Sequence, residues 1–248
     1  MLHAIGIIPA RYASTRLPGK PLIDLGGQSM IQRVVNQARQ AHLSRVVVAT
    51  DDTRIHQHVL DFGGEAVLTS SNHPSGTDRV YEAYQQLGET ADCVVNIQGD
   101  EPFIHPAQIN LLLDLFADAE TQIGTLVKHV VSEEELRSPH LPKVVLNTRG
   151  EALYFSRHPL PYQRQHNPAD WLAYHHYLRH IGLYAYRPAV LAELTRLPPS
   201  PLEIAESLEQ LRWLEHGYRI RTAETELATL GIDTPEDVIR ALAQILGE

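Results

Sequence analysis

The sequence predicts an α/β protein, a doubly wound and mainly parallel sheet with an antiparallel insertion. Two patterns carry that expectation. Through Phe116, short apolar or β-branched runs alternate with segments whose apolar residues recur at helical spacing, which implies right-handed βαβ crossovers. From Ile123 to Tyr186 the pattern changes to four strand-like runs with short separations: Ile123 to Val131, Lys143 to Leu146, Ala152 to Ser156 and Tyr177 to Tyr186. The 248 residues are therefore expected to form a single domain, with one functional part around 1–120 and an insertion around 121–190.

The first strand, Ile5-Gly6-Ile7-Ile8, reads as buried, and Pro9 is expected to stop its ladder because proline has no N–H to donate. The segment that follows carries Arg11, Arg16 and Lys20, with no acid among them and small residues at Ala10, Ala13 and Ser14. The whole chain has a formal net charge of −9. A polyphosphate would be repelled at long range, so its site must concentrate cations, and this loop does so at a strand end. Pro18 and Pro21 stiffen the turn that presents Lys20. No G-x-x-x-x-G-K-[ST] motif is present, so the loop is not of the Walker type.

Further along, Met30, Ile31, Val34, Val35 and Ala38 mark a helix between Ser29 and Ala41, after the breaker Gly26-Gly27. A β-branched strand follows from Arg45 to Ala49, and Thr50-Asp51-Asp52-Thr53 caps the next helix, with Asp51 read as a capping residue. His56 and His58 read as its solvated face. After Gly63-Gly64, Glu65 to Leu68 forms a third short strand, and Ser75-Gly76-Thr77-Asp78-Arg79 opens an amphipathic helix. A small-residue turn at a helix start offers N–H groups to an anion or to the polar edge of a base.

The strand Cys93 to Ile97 runs into Gln98-Gly99-Asp100-Glu101-Pro102. Ligands of doubly wound sheets sit beyond the carboxyl ends of the strands, which places this turn beside the Arg11 loop. Asp100, expected to be buried, calls for a cation such as Mg²⁺. Gly99 lets backbone approach a ligand, and Gln98 offers a donor and an acceptor to a pyrimidine. Later, Ser200 to Gly217 reads as one helix with Ile204, Leu208, Leu211 and Leu214 on its stripe. Thr234 caps a last helix with Pro235 at its first position, leaving Asp233 just outside.

Composition bounds the rest. Hydrophobic content of 43% and charged content of 21% suit an ordered soluble chain. Cys93 is the single cysteine, which excludes an intrachain disulfide and suits a reducing cytoplasm. No secretory signal and no membrane-length apolar run is read, and neither nucleic acid nor membrane is an expected partner. The chain's 14 histidines do not form a metal motif: His176 and His180, read in one strand, would stand roughly 13 Å apart. Pro139 to Pro142 and Pro159 to Trp171 read as exposed loops, the second placed to serve as a lid.

Pro9-Ala10-Arg11, Ser14-Thr15-Arg16 and Leu17-Pro18-Gly19-Lys20-Pro21 resemble the signature of the sugar-activating cytidylyltransferases, specifically the 3-deoxy-manno-octulosonate (KDO) family. The likeness continues in order through Ser75 to Arg79, Asn96 to Pro102, Leu153 to Arg157, Arg179 to Tyr184, Leu208 to Arg212 and Gly231 to Asp237, and so spans nearly the whole chain. It implies a Rossmann-like nucleotidyltransferase fold and transfer of CMP from CTP to the anomeric hydroxyl of KDO, for lipopolysaccharide synthesis. It implies a nucleotide-binding part at 1–120 and a sugar-binding, dimer-forming insertion at 121–190.

What the resemblance assigns can be stated residue by residue. Ala10, Arg11, Ser14, Arg16, Lys20, Ser75, Gln98 and Asp100 would bind CTP, with Arg11, Lys20, Asp100 and Asp233 catalytic. Asp100 and Asp233 would hold Mg²⁺. Arg157, His180, Tyr184, Glu209 and Gln210 would bind the sugar, with Glu203 and Glu206 near them, and the protein would be a homodimer. Other readings stay open at this point: activation of a sialic acid or an 8-amino KDO relative, a nucleotide sensor without catalysis, or a glycosyltransferase with a D-x-D site, which Pro102 in the third place disfavours.

Overall fold

A computed structural model describes residues 2–13 and 17–247. The chain divides into two compact units, one formed by the residues up to Asn110 together with Ala228 onward, the other by Leu111–Leu227.

The first unit begins with β1 (Ala4–Ala10), α1 (Met30–Ala38), β2 (Arg45–Thr50), α2 (Thr53–Asp61), β3 (Ala66–Leu68), α3 (Gly76–Leu87) and β4 (Cys93–Asn96). Its strands lie in the order β3-β2-β1-β4, all parallel. Chain order runs outward from β1 to β3 and then returns to the other side of β1, so a topological switch point falls between β1 and β4. Ile5, Ile7, Ile8, Val47, Val48, Val94 and Val95 are all essentially inaccessible, the continuous apolar reading of strands covered on both faces.

Pro9 does not stop the ladder. β1 continues to Ala10, with Pro9 opposite Ala49 and Ala10 opposite Thr50. Hydrogen-bonding groups of successive strand residues point to alternate sides, and Ile7 faces β4, since its carbonyl accepts from the Ile97 N–H at 3.0 Å. Pro9 therefore also faces β4, beyond the last β1–β4 pair, Ile7 with Asn96, where no donor is required.

Capping sets the helix starts. Ser29 caps α1 by accepting from the Gln32 N–H at 3.2 Å, and Met30, Ile31, Val34, Val35 and Ala38 are its buried face. His58 is not solvated as expected: its Nε2 lies 2.7 Å from Ser29 Oγ, which ties α2 to the start of α1. Asp52, not Asp51, caps α2. Asp51 is drawn instead to the guanidinium of the fully buried Arg79, 3.0 Å away, because a buried cation needs a counter-charge more than an exposed helix end needs a second acceptor.

From α4 (Pro106–Asp114) the chain passes into the second unit. There it forms β5 (Ile123–His129), α5 (Glu133–Arg137), β6 (Lys143–Leu146), β7 (Ala152–Ser156), α6 (Trp171–Tyr174), β8 (Leu178–Tyr186), α7 (Pro188–Leu194), α8 (Pro201–Glu206), α9 (Glu209–Glu215) and β9 (Ile220–Glu224). β8 pairs antiparallel with β5 and β6, and β6 antiparallel with β7, as the sequence predicts. β9 is an addition the periodicity did not disclose, a short strand parallel to β5. His176 falls before β8 and packs edge-on against His129, 5.4 Å between ring centres. Trp171 is buried against Val130, Leu136 and Tyr177, so the Pro159–Trp171 segment is anchored at its far end and not exposed throughout.

The segment from Ser200 to Gly217 is two helices, not one. Ser207 adopts a left-handed conformation, φ 50° and ψ 49°, which ends α8 and re-aims the chain into α9. Leu208 and Leu211 are buried, but the break rotates Ile204 out of the stripe, and it is 68% exposed.

The chain then returns to the first unit and ends in α10 (Pro235–Leu246). Leu25, Met30, Ile232 and Ala241 are buried together, with Leu17, Ile23, Phe103 and Ile245 packed around them. At about 2 kcal/mol for each large side chain buried, this cluster holds the last helix against the segment that follows the first loop.

Candidate active site

The site is built at the switch point. A pocket of about 230 Å³ opens there, lined by Pro9, Ala10, Arg11, Lys20, Gln98, Gly99 and Asp100 among others. Gly99 is required by the neighbouring strand: a β-carbon at that position would lie 2.8 Å from the Pro9 carbonyl oxygen. The absent side chain thus lets the turn after β4 close against the end of β1, and the need is met by protein backbone, where the sequence suggested a ligand.

Lys20 sits in a short 3₁₀ turn, Lys20–Leu22, entered through Gly19 at φ 69°. The Gly19 N–H donates to the Tyr12 carbonyl at 3.0 Å, and Tyr12 in turn lies under the Arg54 guanidinium, 3.4 Å from the ring centre. These contacts close the base of the loop. The Lys20 ammonium is then held by two acids: Nζ donates to Asp100 Oδ2 at 2.7 Å and to Asp233 Oδ1 at 2.9 Å. Burial acts to lower the Lys20 pKa, but the charge of Asp100 and the hydrogen bonds to both aspartates outweigh it, so the pKa is raised. Asp100 is less buried than its position after an apolar strand suggested, with 37% of its side chain accessible, and Asp233 is half exposed.

Asp233 is fixed from behind. Thr234 caps α10 in a capping box with Asp237, whose carboxylate accepts from the N–H groups of both Asp233 and Thr234 at 2.9 Å. The Ile232 N–H donates to the Asp100 carbonyl at 2.9 Å, so the backbones that carry the two acids are joined directly.

Arg11 reaches from the end of β1 to the turn before α3, donating to the carbonyls of His73 at 2.6 Å and Ser75 at 3.4 Å. The Ser75 hydroxyl is engaged as the α3 cap, donating to the Asp78 carboxylate at 2.6 Å, so the turn offers its backbone and not that side chain. Ser14 and Arg16 lie outside the described residues. Two residues the sequence did not single out support this region. Arg79 joins Asp51 to the Thr69 hydroxyl, and Glu82 gathers the Ser70 N–H and the His73 ring under the same turn. Arg79 was visible as the last residue of the Ser75-Gly76-Thr77-Asp78-Arg79 motif.

The residues assigned to the sugar gather in the second unit. His180 and Tyr184 have ring centres 5.2 Å apart, and Thr125 Oγ1 lies 3.0 Å from His180 Nε2. Burial pushes His180 down to about 3, so the ring is neutral at physiological pH. Burial, then the charges of Tyr186 and Glu209, hold the Tyr184 hydroxyl well above its ordinary pKa. Gln210 is buried at the start of α9.

Arg157 bridges three backbone carbonyls. Its Nε, Nη1 and Nη2 donate to the carbonyls of Glu206, Pro139 and Ser207 at 2.7, 2.8 and 3.0 Å. Glu206 accepts from the Ser156 hydroxyl and the Arg157 N–H, and Glu203 completes the α8 capping box. Arg157 and Glu206 also border a cavity of about 720 Å³ with Arg137, His158, Tyr162 and Trp171.

Two aspartates from separate turns thus share one lysine at the switch point, and comparison with known proteins names the group. The cytidylyltransferase family model matches residues 5–220. The 3-deoxy-manno-octulosonate cytidylyltransferase of Parabacteroides distasonis is 59% identical over 247 residues, covering 98% of each chain. This chain belongs to the 3-deoxy-manno-octulosonate cytidylyltransferase family. The relative from Cytophaga hutchinsonii is 56% identical over 96% of each chain. A solved structure of CMP:2-keto-3-deoxy-manno-octonic acid synthetase complexed with CTP superposes with a TM-score of 0.91 at 45% identity, over 99% of each chain. Among the described residues no helix is long and apolar enough to cross a membrane, and no three His, Cys, Asp or Glu side chains cluster as metal ligands.

Proposed function

We propose that this chain transfers CMP from CTP to the anomeric hydroxyl of KDO, releasing pyrophosphate and supplying CMP-KDO for lipopolysaccharide synthesis. The observation that carries the reading is the Lys20 ammonium shared by Asp100 and Asp233 at the mouth of the β1–β4 pocket. Family membership narrows the nucleotide and the sugar.

Arg11 and Lys20 bind the triphosphate and stabilise the charge that develops on the departing pyrophosphate. Gln98, the backbone at Ala10 and the Ser75 turn surround the base. His180, Tyr184, Glu209 and Gln210 supply donors and acceptors to the sugar hydroxyls, with the His180 ring neutral and able to serve as either. Two carboxylates that already share one cation fit Mg²⁺, which takes a few acidic oxygens and completes its shell with phosphate oxygens and water. Bound by Asp100 and Asp233, Mg²⁺ would neutralise phosphate charge and acidify the attacking hydroxyl.

We place the reaction in the cytoplasm, where CTP is made and where the buried thiol of Cys93 stays reduced. We also propose a homodimer formed through the second unit, supported by the exposure of Val131, Leu153, Tyr162 and Tyr174 at more than half of each side chain. The test is pyrophosphate release from CTP with KDO, a sialic acid and an 8-amino KDO relative assayed side by side. The expected result is release that depends on KDO and on Mg²⁺. CTP binding with no release for any sugar would overturn the assignment, and faster release with another acidic sugar would move it to that substrate.

A further inference from the structure

Among the described residues, Ser207 is the single non-glycine residue with positive φ, and it stands two positions before Glu209. A left-handed serine persists only where its surroundings over-determine it. Here two arginines do so from opposite sides. Arg157 donates to the carbonyls of Glu206 and Ser207, on the α8 side of the joint. Arg212, on α9, reaches back across it: Nη2 donates to Glu209 Oε1 at 3.0 Å, Nε lies 3.1 Å from Glu203 Oε2, and Nη1 donates to the Leu197 carbonyl at 3.0 Å.

We propose that Arg212 is a positioning residue for the sugar: it fixes the Glu209 carboxylate, and with it the first turn of α9, in the orientation that receives the hydroxyls of KDO. Glu209 opens a seven-residue helix, and a long flexible side chain at such an end has several rotamers of similar energy. The guanidinium of Arg212, with only 10% of its side chain accessible, selects one of them. It does so while braced against the α8 capping residue Glu203 and the carbonyl of Leu197, so the carboxylate is referenced to three segments at once. A planar five-donor fork can hold three partners in fixed directions, which the point charge of a lysine cannot. The charge of Glu209 acts on the buried Tyr184 hydroxyl, whose ring stands 5.2 Å from that of His180, so the orientation of the carboxylate bears on the ring pair assigned to the sugar.

This inference rests on the assignment of Glu209 to the sugar site, and the experiment separates the two. Steady-state kinetics are measured for Arg212→Lys, Glu203→Gln and Glu209→Gln, varying KDO at saturating CTP and CTP at saturating KDO. Arg212→Lys is expected to raise KM for KDO by about tenfold while KM for CTP stays within about twofold, and Glu203→Gln, which removes one of three anchors, should raise it by about threefold. A structural defect would lower the concentration of active enzyme and leave both KM values alone. If Glu209→Gln raises KM for KDO and Arg212→Lys leaves it unchanged, the positioning role is wrong. If Glu209→Gln itself has no effect on KDO, the sugar-site assignment falls and this inference falls with it. Should Arg212→Lys fail to fold, Glu203→Gln decides: an unchanged KM for KDO there overturns the proposal.

Discussion

Lys20 and Asp233 are 213 positions apart in the chain and 2.9 Å apart in the fold, joined by an ion pair beside the pocket at the β1–β4 switch point. The contact exists because α10 packs back onto the buried side chains Leu25 and Met30, and Asp100 completes it from the turn after β4.

Asp100→Asn is expected to lower the rate of pyrophosphate release by about 10²–10³-fold, the loss typical when a group that organises developing charge is removed. The secondary structure and melting midpoint should change little, because the side chain is over one-third exposed and Lys20 keeps Asp233. Circular dichroism and a continuous pyrophosphate assay on the same preparation check this. Turnover near that of the unaltered protein would remove Asp100 from the chemistry.

Gly99→Ala should impair both folding and nucleotide binding. The new methyl would stand 2.8 Å from the Pro9 carbonyl, a backbone atom of a central strand that cannot yield without moving the pocket floor. Overpacking of this kind costs about 1–3 kcal/mol. Urea unfolding measures the first effect and CTP titration calorimetry the second.

Thr234→Ala removes the capping oxygen of α10 and one of the hydrogen bonds that hold Asp237 under Asp233. A lost cap costs about 1 kcal/mol. For a chain of this size that lowers the melting midpoint by about 2–4 °C. Because Asp233 hangs from the same box, kcat should fall several-fold while the Arg11–Lys20 loop is untouched, and a variant with lowered stability and unchanged kcat would show that the box has no bearing on Asp233.

Lys143 gives a prediction in pH. It is fully buried, its ammonium donates to the Ser138 carbonyl at 2.8 Å, and burial followed by the nearby charge of Arg157 pushes its pKa down to about 8. The unfolded chain, at the ordinary lysine value of 10.5, binds more protons between those two pH values, so folding stability rises with pH across that window and the full penalty is present at neutral pH. Lys143→Met should raise stability at pH 7 by about 1–3 kcal/mol, at about 1.4 kcal/mol per unit of depression less the lost hydrogen bond. It should also abolish the rise between pH 8 and 10.5. Denaturant unfolding at pH 7, 8.5 and 10 reads both effects.

Much of this was legible from residue order because it depends on local rules. The parallel strands announced themselves as continuous apolar runs, the helix starts near Ser29 and Ser75 as polar residues before amphipathic segments, the cap at Thr234 by the proline after it, and the Arg11–Lys20 loop as cations without acids. Where the reading erred, a long-range partner had overruled a local preference. Asp51 left the helix end for Arg79, which lies 28 residues on. Pro9 stayed in the strand because its neighbour ends first. Ser207 broke a helix whose apolar spacing looked unbroken, because Arg157, 50 residues earlier, holds the carbonyl of the bend.

By itself, then, the sequence determined the type of most elements, the parallel character of the amino-terminal sheet and the cations and acids available at its strand ends, since propensity, periodicity and charge act over a few residues. Only the tertiary structure decided that Asp100 and Asp233 share one lysine, that Gly99 is demanded by Pro9, and that Arg157 and Arg212 brace a bent helix pair. Each of these is a distance between segments remote in the chain. Such distances are set by the packing of the whole core, which no window of neighbouring residues contains.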